Sequence, residues 1–277
     1  MVTPASKRTA AGVMITEFRR SQRRACALSQ LGRSTCRYRF RRPADDEFRQ
    51  KLRAIALKRP AFGYRRLGYF LRKDGLRFNH KKLLRVYRSE GLGLPRKRPR
   101  KRLWQRPQPL LRATFPNERW SIDFVADQLG SGRRFRVLTV MDDFTRRWPL
   151  TIVDTSISGT RVVRALEELS RTHSLPKAIV SDNGTEFTSG AFLAWAEKRG
   201  VELRFIQPGK PNQNAFVESF NGKFRLEFLN AHWFSTLEDA RREIEAWRVD
   251  YNDVRPHSSL DQTPPAEFAA AHQGTAA

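Results

Sequence analysis

Three carboxylates, Asp123, Asp182 and Glu218, are the residues of this 277-residue chain whose types and spacing could do chemistry. Asp123 lies in RWSIDFVAD between Ile122 and Phe124, so on a strand its side chain points to the face opposite its apolar neighbours. Asp182 follows the apolar run Ala178, Ile179, Val180 and Ser181. That puts it at the carboxyl end of a short buried strand, where α/β sheets present ligands. With Asn183 and Gly184 behind it, it also reads as an Asx turn or a helix cap. Glu218 falls on a helix beginning near Asn214, about 200° around from Phe216, with Asn221 and Arg225 following on its own side. Alone it is an ordinary surface glutamate. Together, three acids are suited to hard divalent cations, a pair of which can clamp the attacking and leaving oxygens of a phosphodiester. Gathered negative charge resists ionisation without a cation, so such a site depends on metal.

The surrounding residues supply elements that could position these acids. Residues 120–126, 135–142 and 148–153 read as strands, the first two joined by the turn at Gly130, Ser131 and Gly132. A helix comes next over 158–173 with Val162, Val163, Leu166 and Leu169 inward. Then come a strand at 178–181, a helix at 192–199, and a strand at 201–205 after the helix-ending Gly200. Phe216, Phe220, Phe224 and Phe228 recur every fourth residue and mark the buried stripe of the helix carrying Glu218. Trp120 and Trp148 read as core anchors. The order is that of a mixed sheet flanked by helices, an α/β body. Residues 207–213 are too rich in proline, glycine and polar side chains for regular structure.

The first part of the chain has a different chemistry. Residues 1–118 hold 33 bases and 7 acids, net +26, and residues 119–277 hold 20 bases and 21 acids, net −1. So lopsided a charge points to nucleic acid as the partner of the basic part. From Ile15 to Tyr38 short helices are expected, with Ala25, Leu28 and Leu31 on one apolar edge, a break at Gly32, and Ser34 or Thr35 capping the next helix. The pattern fits a helix-turn-helix or a plain helical bundle. Phe48, Leu52 and Ile55 then recur at helical spacing. Leu67, Phe70 and Leu71 mark a second face and Leu83, Leu84 and Tyr87 a third, with Gly75 and Asn79 as punctuation. Lys81, Lys82, Arg85 and Arg88 line one side of the last of these helices and are candidates for phosphate contact. Residues 95–109 are broken by proline and packed with bases, an extended linker. Cys26 and Cys36 have neither zinc spacing nor a disulfide framework. No run of residues is long and apolar enough for a membrane span, and a bacterial cytoplasm or nucleoid is the expected setting.

Between Asp182 and Glu218 lie 35 residues, and a base, Arg225, stands seven positions after the glutamate. In that spacing the chain resembles the DDE transposases and retroviral integrases. RWSIDF, VMDDFTRR, IVSDNGTEF, QPGKPNQNAFVESFNGKFR and YNDVRPHSSLDQTPPAEF narrow the resemblance to the second-frame (OrfB) proteins of bacterial insertion-sequence-three family transposases. AFGYRRLGYFLRKDGLRFNHKKLLRVYRSEGL is similar to that family's helix-turn-helix-like domain, and SQRRACALSQLGRSTCRY to its N-terminal region.

The resemblance implies an RNase H-like integrase catalytic core with a mixed five-stranded sheet over 116–268, preceded by small all-α DNA-binding modules. These are a basic helical region at 1–45 and a helix-turn-helix-like domain at 46–94. A basic linker at 95–115 joins them to the core, and a tail occupies 269–277. It also implies metal-dependent cleavage at element ends followed by 3′-OH strand transfer. Asp123, Asp182 and Glu218 would hold two Mg²⁺ ions, for which Mn²⁺ can substitute. Lys210, Asn214, Asn221 and Arg225 would contact DNA, with Asn212 and Gln213 beside them. The implied partners are DNA, as terminal inverted repeats and as target, an upstream-frame protein as fusion or partner, and further copies of the chain assembled on DNA. The alternative is a catalytically inactive DNA-binding regulator or transposase relic. Asp142 and Asp143 match a family acidic position and also read as turn or ion-pair residues with Arg146 and Arg147. Glu186 and His257 read as structural.

Overall fold

The computed structural model describes residues 3–38, 45–95, 112–207 and 214–272, and the chain divides into two compact units, Met1–Phe48 and Arg49–Ala277. The first unit holds three helices, α1 (Pro4–Thr16), α2 (Gln22–Leu28) and α3 (Arg33–Arg37). Thr3 caps α1, and Ser21 caps α2 by accepting from Arg24 N, which satisfies backbone donors that a helix start leaves unpaired. Its small core is Ala11, Ala25, Cys26 and Leu31. Three details differ from the sequence expectation: helix begins at Pro4, well before Ile15, and two further details concern α2 and α3. Leu28 is 55% exposed, because α2 ends there and the chain turns Leu31 inward instead. Ser34 and Thr35 lie inside α3, whose cap position is Gly32.

The helix α4 (Asp46–Lys58) leads into the second unit, followed by α5 (Tyr64–Lys73) and α6 (His80–Ser89). Leu52, Ala56, Phe62, Leu67, Leu71, Leu83, Val86 and Tyr87 are buried. Each large apolar side chain among them contributes about 1.5–3 kcal/mol of hydrophobic stabilisation. Gly68 lets α5 and α6 approach closely, since a Cβ there would fall 2.6 Å from Leu83 Cδ2. Gly75 takes φ +82° in the turn between them, and Asn79 caps α6 by accepting from Lys81 N. Arg49 and Arg53 both close on Glu90.

Beyond residue 112 the chain forms β1 (Arg119–Gln128), β2 (Arg134–Asp142), β3 (Leu150–Asp154), α7 (Gly159–Ser170), β4 (Ala178–Ser181), α8 (Gly190–Arg199), β5 (Glu202–Phe205), α9 (Ala215–Glu227), α10 (Leu237–Asp253) and α11 (Pro265–Ala271). The sheet order is β3-β2-β1-β4-β5. The first three strands are antiparallel, whereas β4 and β5 run parallel to β1. This is the expected mixed five-stranded sheet of an RNase H-like core.

Period-two alternation sorts the strand residues onto two hydrophobic cores. Trp120, Ile122, Leu138, Val140 and Ile179 pack with Val162, Leu166, Phe192 and Trp195 of α7 and α8. Val125, Phe135, Val137 and Met141 pack on the other face with Phe220 and Phe224 of α9 and with Ile244, Trp247 and Tyr251 of α10. By the same alternation Asp123, two residues before Val125, belongs to the α9 face. Trp148 is completely buried against Phe220, Phe224 and Trp247. It precedes β3 rather than opening it, because the Asn252 side chain takes both its N–H and its carbonyl, each at 2.9 Å.

Candidate active site

Asp123 is held in the middle of β1 by its neighbours on three elements. Its register partner on β2 is Thr139, whose hydroxyl stands 3.1 Å from the Asp123 carbonyl and 3.0 Å from Asn221 Oδ1. Asn221, on α9, donates from Nδ2 to Asp123 Oδ2 at 2.7 Å, while the Phe124 N–H donates to Oδ1 at 2.7 Å. Asn214, at the start of α9, donates to the Ile122 carbonyl at 3.2 Å. The helix that carries Glu218 is thereby tied twice to the strand that carries Asp123.

Asp182 follows β4 directly. The parallel pairing runs Arg119 with Ala178, Trp120 with Ile179 and Ser121 with Val180, so two more steps bring 182 alongside 123. Asp182 is exposed and accepts from Gly184 N at 3.1 Å. It therefore makes the Asx turn and stands at the strand end at once. Gly184 fits closely there, since a Cβ on it would lie 3.0 Å from Asp182 Oδ1. Glu218 is exposed on the first turn of α9.

Electrostatics connects the three acids. The Asp123 carboxyl is raised above its ordinary range, first by burial and then by the negative charges of Asp182 and Glu218, against the lowering by the Phe124 N–H and Asn221. Among the described residues no three acidic, histidine or cysteine side chains already converge as a ligand cage. The donors are nonetheless of the kind a hard cation takes: carboxylate oxygens whose repulsion a positive ion would relieve. The buried Asn214 Oδ1, which has no hydrogen-bond partner among the described residues, adds an oxygen close to the Asp123 backbone.

Comparison with known proteins agrees with this geometry. The integrase core domain family matches in two overlapping segments, residues 113–211 and 199–265. The uncharacterized 31.7 kDa protein of insertion element IS407 from Burkholderia multivorans is 49% identical over 257 residues, spanning 92% of this chain and 93% of its own. The chain belongs to the insertion-sequence DDE transposases. The uncharacterized 39.2 kDa protein of IS476 from Xanthomonas euvesicatoria is 45% identical over 270 residues, covering 97% of the transposase and 78% of that protein. The transposase for IS904 from Lactococcus lactis is 30% identical over 166 residues, 57% of this chain and 64% of the other. The activity of the present transposase is DNA transposition and integration, and it falls in the integrase and transposase superfamily.

The remaining sequence candidates of the transposase separate by burial. Asn221 and Asn214 are 8% and 3% exposed. Their side-chain amides donate to Asp123 and to the Ile122 carbonyl, so both residues tie α9 to the strand that carries Asp123. Arg225 is exposed and donates from one guanidinium nitrogen to the Ala126 carbonyl at 3.0 Å, three residues along β1 from Asp123. Lys210, Asn212 and Gln213 lie outside the described residues. Lys81, Arg85 and Arg88 are exposed on α6 and Lys82 is half-buried there. Asp142 forms a turn, accepting from the N–H groups of Asn117, Phe144 and Thr145. Asp143 accepts from Ser121 and pairs with Arg119, rather than with Arg146 or Arg147, because both partners sit on the adjacent β1. Glu186 pairs with Arg136, and His257 takes a hydrogen bond from Arg255 at 3.1 Å. Thr139 was not foreseen. Its signal was present: it is the one hydroxyl within the apolar run VLTVM.

Proposed function

We propose that Asp123, Asp182 and Glu218 are the catalytic carboxylates of this transposase. They would hold two divalent cations, Mg²⁺ or Mn²⁺, for cleavage at the element ends and 3′-OH strand transfer. The observation that carries the reading is that a half-buried carboxylate in the central strand bears the repulsion of two others, one at a strand end and one on a helix tied to that strand. When bound, the ions supply activation of water and stabilisation of the attacking and leaving oxygens. Asp123, anchored by Asn221 and Thr139, sets the fixed end of the site. Asp182 and Glu218, exposed on either side, leave room for the phosphodiester. Arg225, beside β1, supplies a cation for the DNA backbone near the cut.

The same reading gives α6, with Lys81, Lys82, Arg85 and Arg88, a role in holding the terminal inverted repeats. The upstream-frame protein, as fusion or partner, and further copies of the chain complete the assembly on DNA. The test is joining of duplexes that end in the element's inverted repeats. Asp182→Asn is expected to abolish Mg²⁺-dependent joining while DNA affinity stays within about twofold, as expected for an acid that makes no DNA contact of its own. Undiminished joining by that variant sinks the assignment. Binding without cleavage by the unmodified protein supports the inactive regulator instead.

A further inference from the structure

On the opposite side of α9 from Glu218 lies an accumulation of positive charge that the active site does not use. Lys223 is five residues after Glu218, about 140° around the helix and about 7.5 Å along it. Around Lys223 stand Arg66 of α5, Arg146 after β2 and Arg255 after α10. The nearby carboxylates are already engaged: Arg255 donates to Glu227 twice, at 2.6 and 2.7 Å, and Arg66 once, at 2.8 Å, while Asp142 and Asp143, whose charges also reach Arg146, accept from backbone N–H groups and from Ser121 and Arg119 respectively. The Arg255 side chain is 1% exposed and that of Glu227 5%. Among the described residues Lys223, half-buried, finds no hydrogen-bond or ion-pair partner. The Arg146 guanidinium also finds neither there and stacks over the Phe216 ring, 3.9 Å from its centroid. Arg146 holds φ +62°, a left-handed backbone that costs an ordinary residue of order 1 kcal/mol or more. Tyr251 is 2% exposed, and its hydroxyl has no hydrogen-bond partner among the described residues.

Unpaired cations removed from water cost free energy unless an anion joins them. Burial, together with the guanidiniums of Arg255 and Arg66, pulls Lys223 down to about 8. A group of ammonium, guanidinium and phenol donors whose neighbouring carboxylates are already engaged offers the donors that the oxygens of a phosphate accept from.

We infer that Lys223, Arg146 and the Tyr251 hydroxyl, backed by Arg66 and Arg255, form a phosphate-binding site that takes a backbone phosphate of the DNA on which the transposase acts. The site rests on the reading of the chain as a DNA-acting enzyme. It is separate from the three acids, and it lies where α5 meets α9 and the segment after α10, so an occupying phosphate would bridge the helical part and the catalytic body.

The test is DNA binding by the full chain with EDTA present, so that no chemistry intervenes, measured by fluorescence anisotropy over a range of salt. Lys223→Gln is expected to weaken binding roughly tenfold, the size of one charged hydrogen bond. It is also expected to make the slope of log K against log salt shallower by about 0.9, the value for one phosphate contact. Lys223→Arg should retain both. Inorganic phosphate, compared with chloride at equal ionic strength, is expected to raise the melting temperature of the unmodified chain and not of Lys223→Gln. Unchanged affinity and slope in Lys223→Gln overturn the DNA assignment. If the thermal response to phosphate is nonetheless lost in that variant, the site binds a free anion instead. Should Lys223→Gln fail to fold, Tyr251→Phe deletes one hydroxyl only, and unchanged DNA affinity in it overturns the proposal equally. An unmodified chain that binds no DNA would refute the functional reading itself, apart from this site.

Discussion

A carboxylate kept above its ordinary range by burial and by two like charges opposes folding at neutral pH. The linkage is direct: a group whose folded pKa is raised contributes stability below its unfolded value and loses it as pH rises. Asp123 is that group, and Glu218 is one source of the repulsion it bears. Glu218 is exposed and makes no hydrogen bond to any described residue, so Glu218→Gln removes repulsion without removing a contact. In metal-free buffer it is expected to melt at the same temperature or about 1 °C higher, the effect of a few tenths of a kcal/mol. Mn²⁺ is expected to raise the melting temperature of the unmodified chain through binding linkage, and this increment should largely vanish in the variant. Differential scanning fluorimetry with and without Mn²⁺ reads both, and an equal Mn²⁺ increment in the variant would remove Glu218 from the site. The placement of Asp123 within a strand, of Asp182 just after one and of Glu218 on a helix was legible in sequence, because strands and helix faces can be read from periodicity. The inward direction of Asn214 and Asn221 was not, because whether an amide near a helix start faces solvent or strand depends on how the helix docks.

Elements read from apolar spacing were found where expected in β1, β2, β4, β5, α7 and α8. The apolar spacing does not announce α1, α10 and α11. The local signals of α10 are clear in retrospect: Thr236 caps by accepting from Asp239 N, and Glu238 and Asp239 fill the first turn. Its importance comes from the segment just beyond its end. His257, three residues after Val254, is 3% exposed and accepts from Arg255, with the Tyr251 ring edge-on at 4.7 Å. Burial first, and then Arg255, Lys223, Arg66 and Arg146, pull its pKa from 6.5 down to about 2. The folded state thus refuses a proton that the unfolded chain accepts below about pH 6.5. Stability from this group is complete above that value and declines as pH falls, by about 1.4 kcal/mol per unit below about pH 6. Urea midpoints at pH 7, 6 and 5 should fall accordingly, and His257→Gln, which still offers Arg255 an acceptor, should flatten the decline. Equal slopes would show that other groups govern acid sensitivity.

For the whole molecule, charge was the most readable property. Net +26 before residue 119 against −1 after it separates a strongly basic part from a near-neutral body that folds around a sheet. What the sequence could not show is how closely α4 to α6 join that body. Arg59 pairs with Asp250, 191 residues away, and Arg66 with Glu227, 161 residues away. No local pattern announces partners at such separations. One local feature also bears on how long such a molecule keeps its chemistry. Asn183 followed by Gly184 is the dipeptide most prone to spontaneous deamidation, in which the glycine nitrogen attacks the asparagine amide and ammonia leaves. Here the attacking nitrogen donates to Asp182 at 3.1 Å and the leaving amide donates to the Ile206 carbonyl at 3.1 Å. Both reacting groups are held in other bonds, so Asp182 guards its neighbour against ageing. Asp182→Ala should deamidate at Asn183 faster on storage, as peptide mass mapping would read. Deamidation there would set a new negative charge directly beside Asp182.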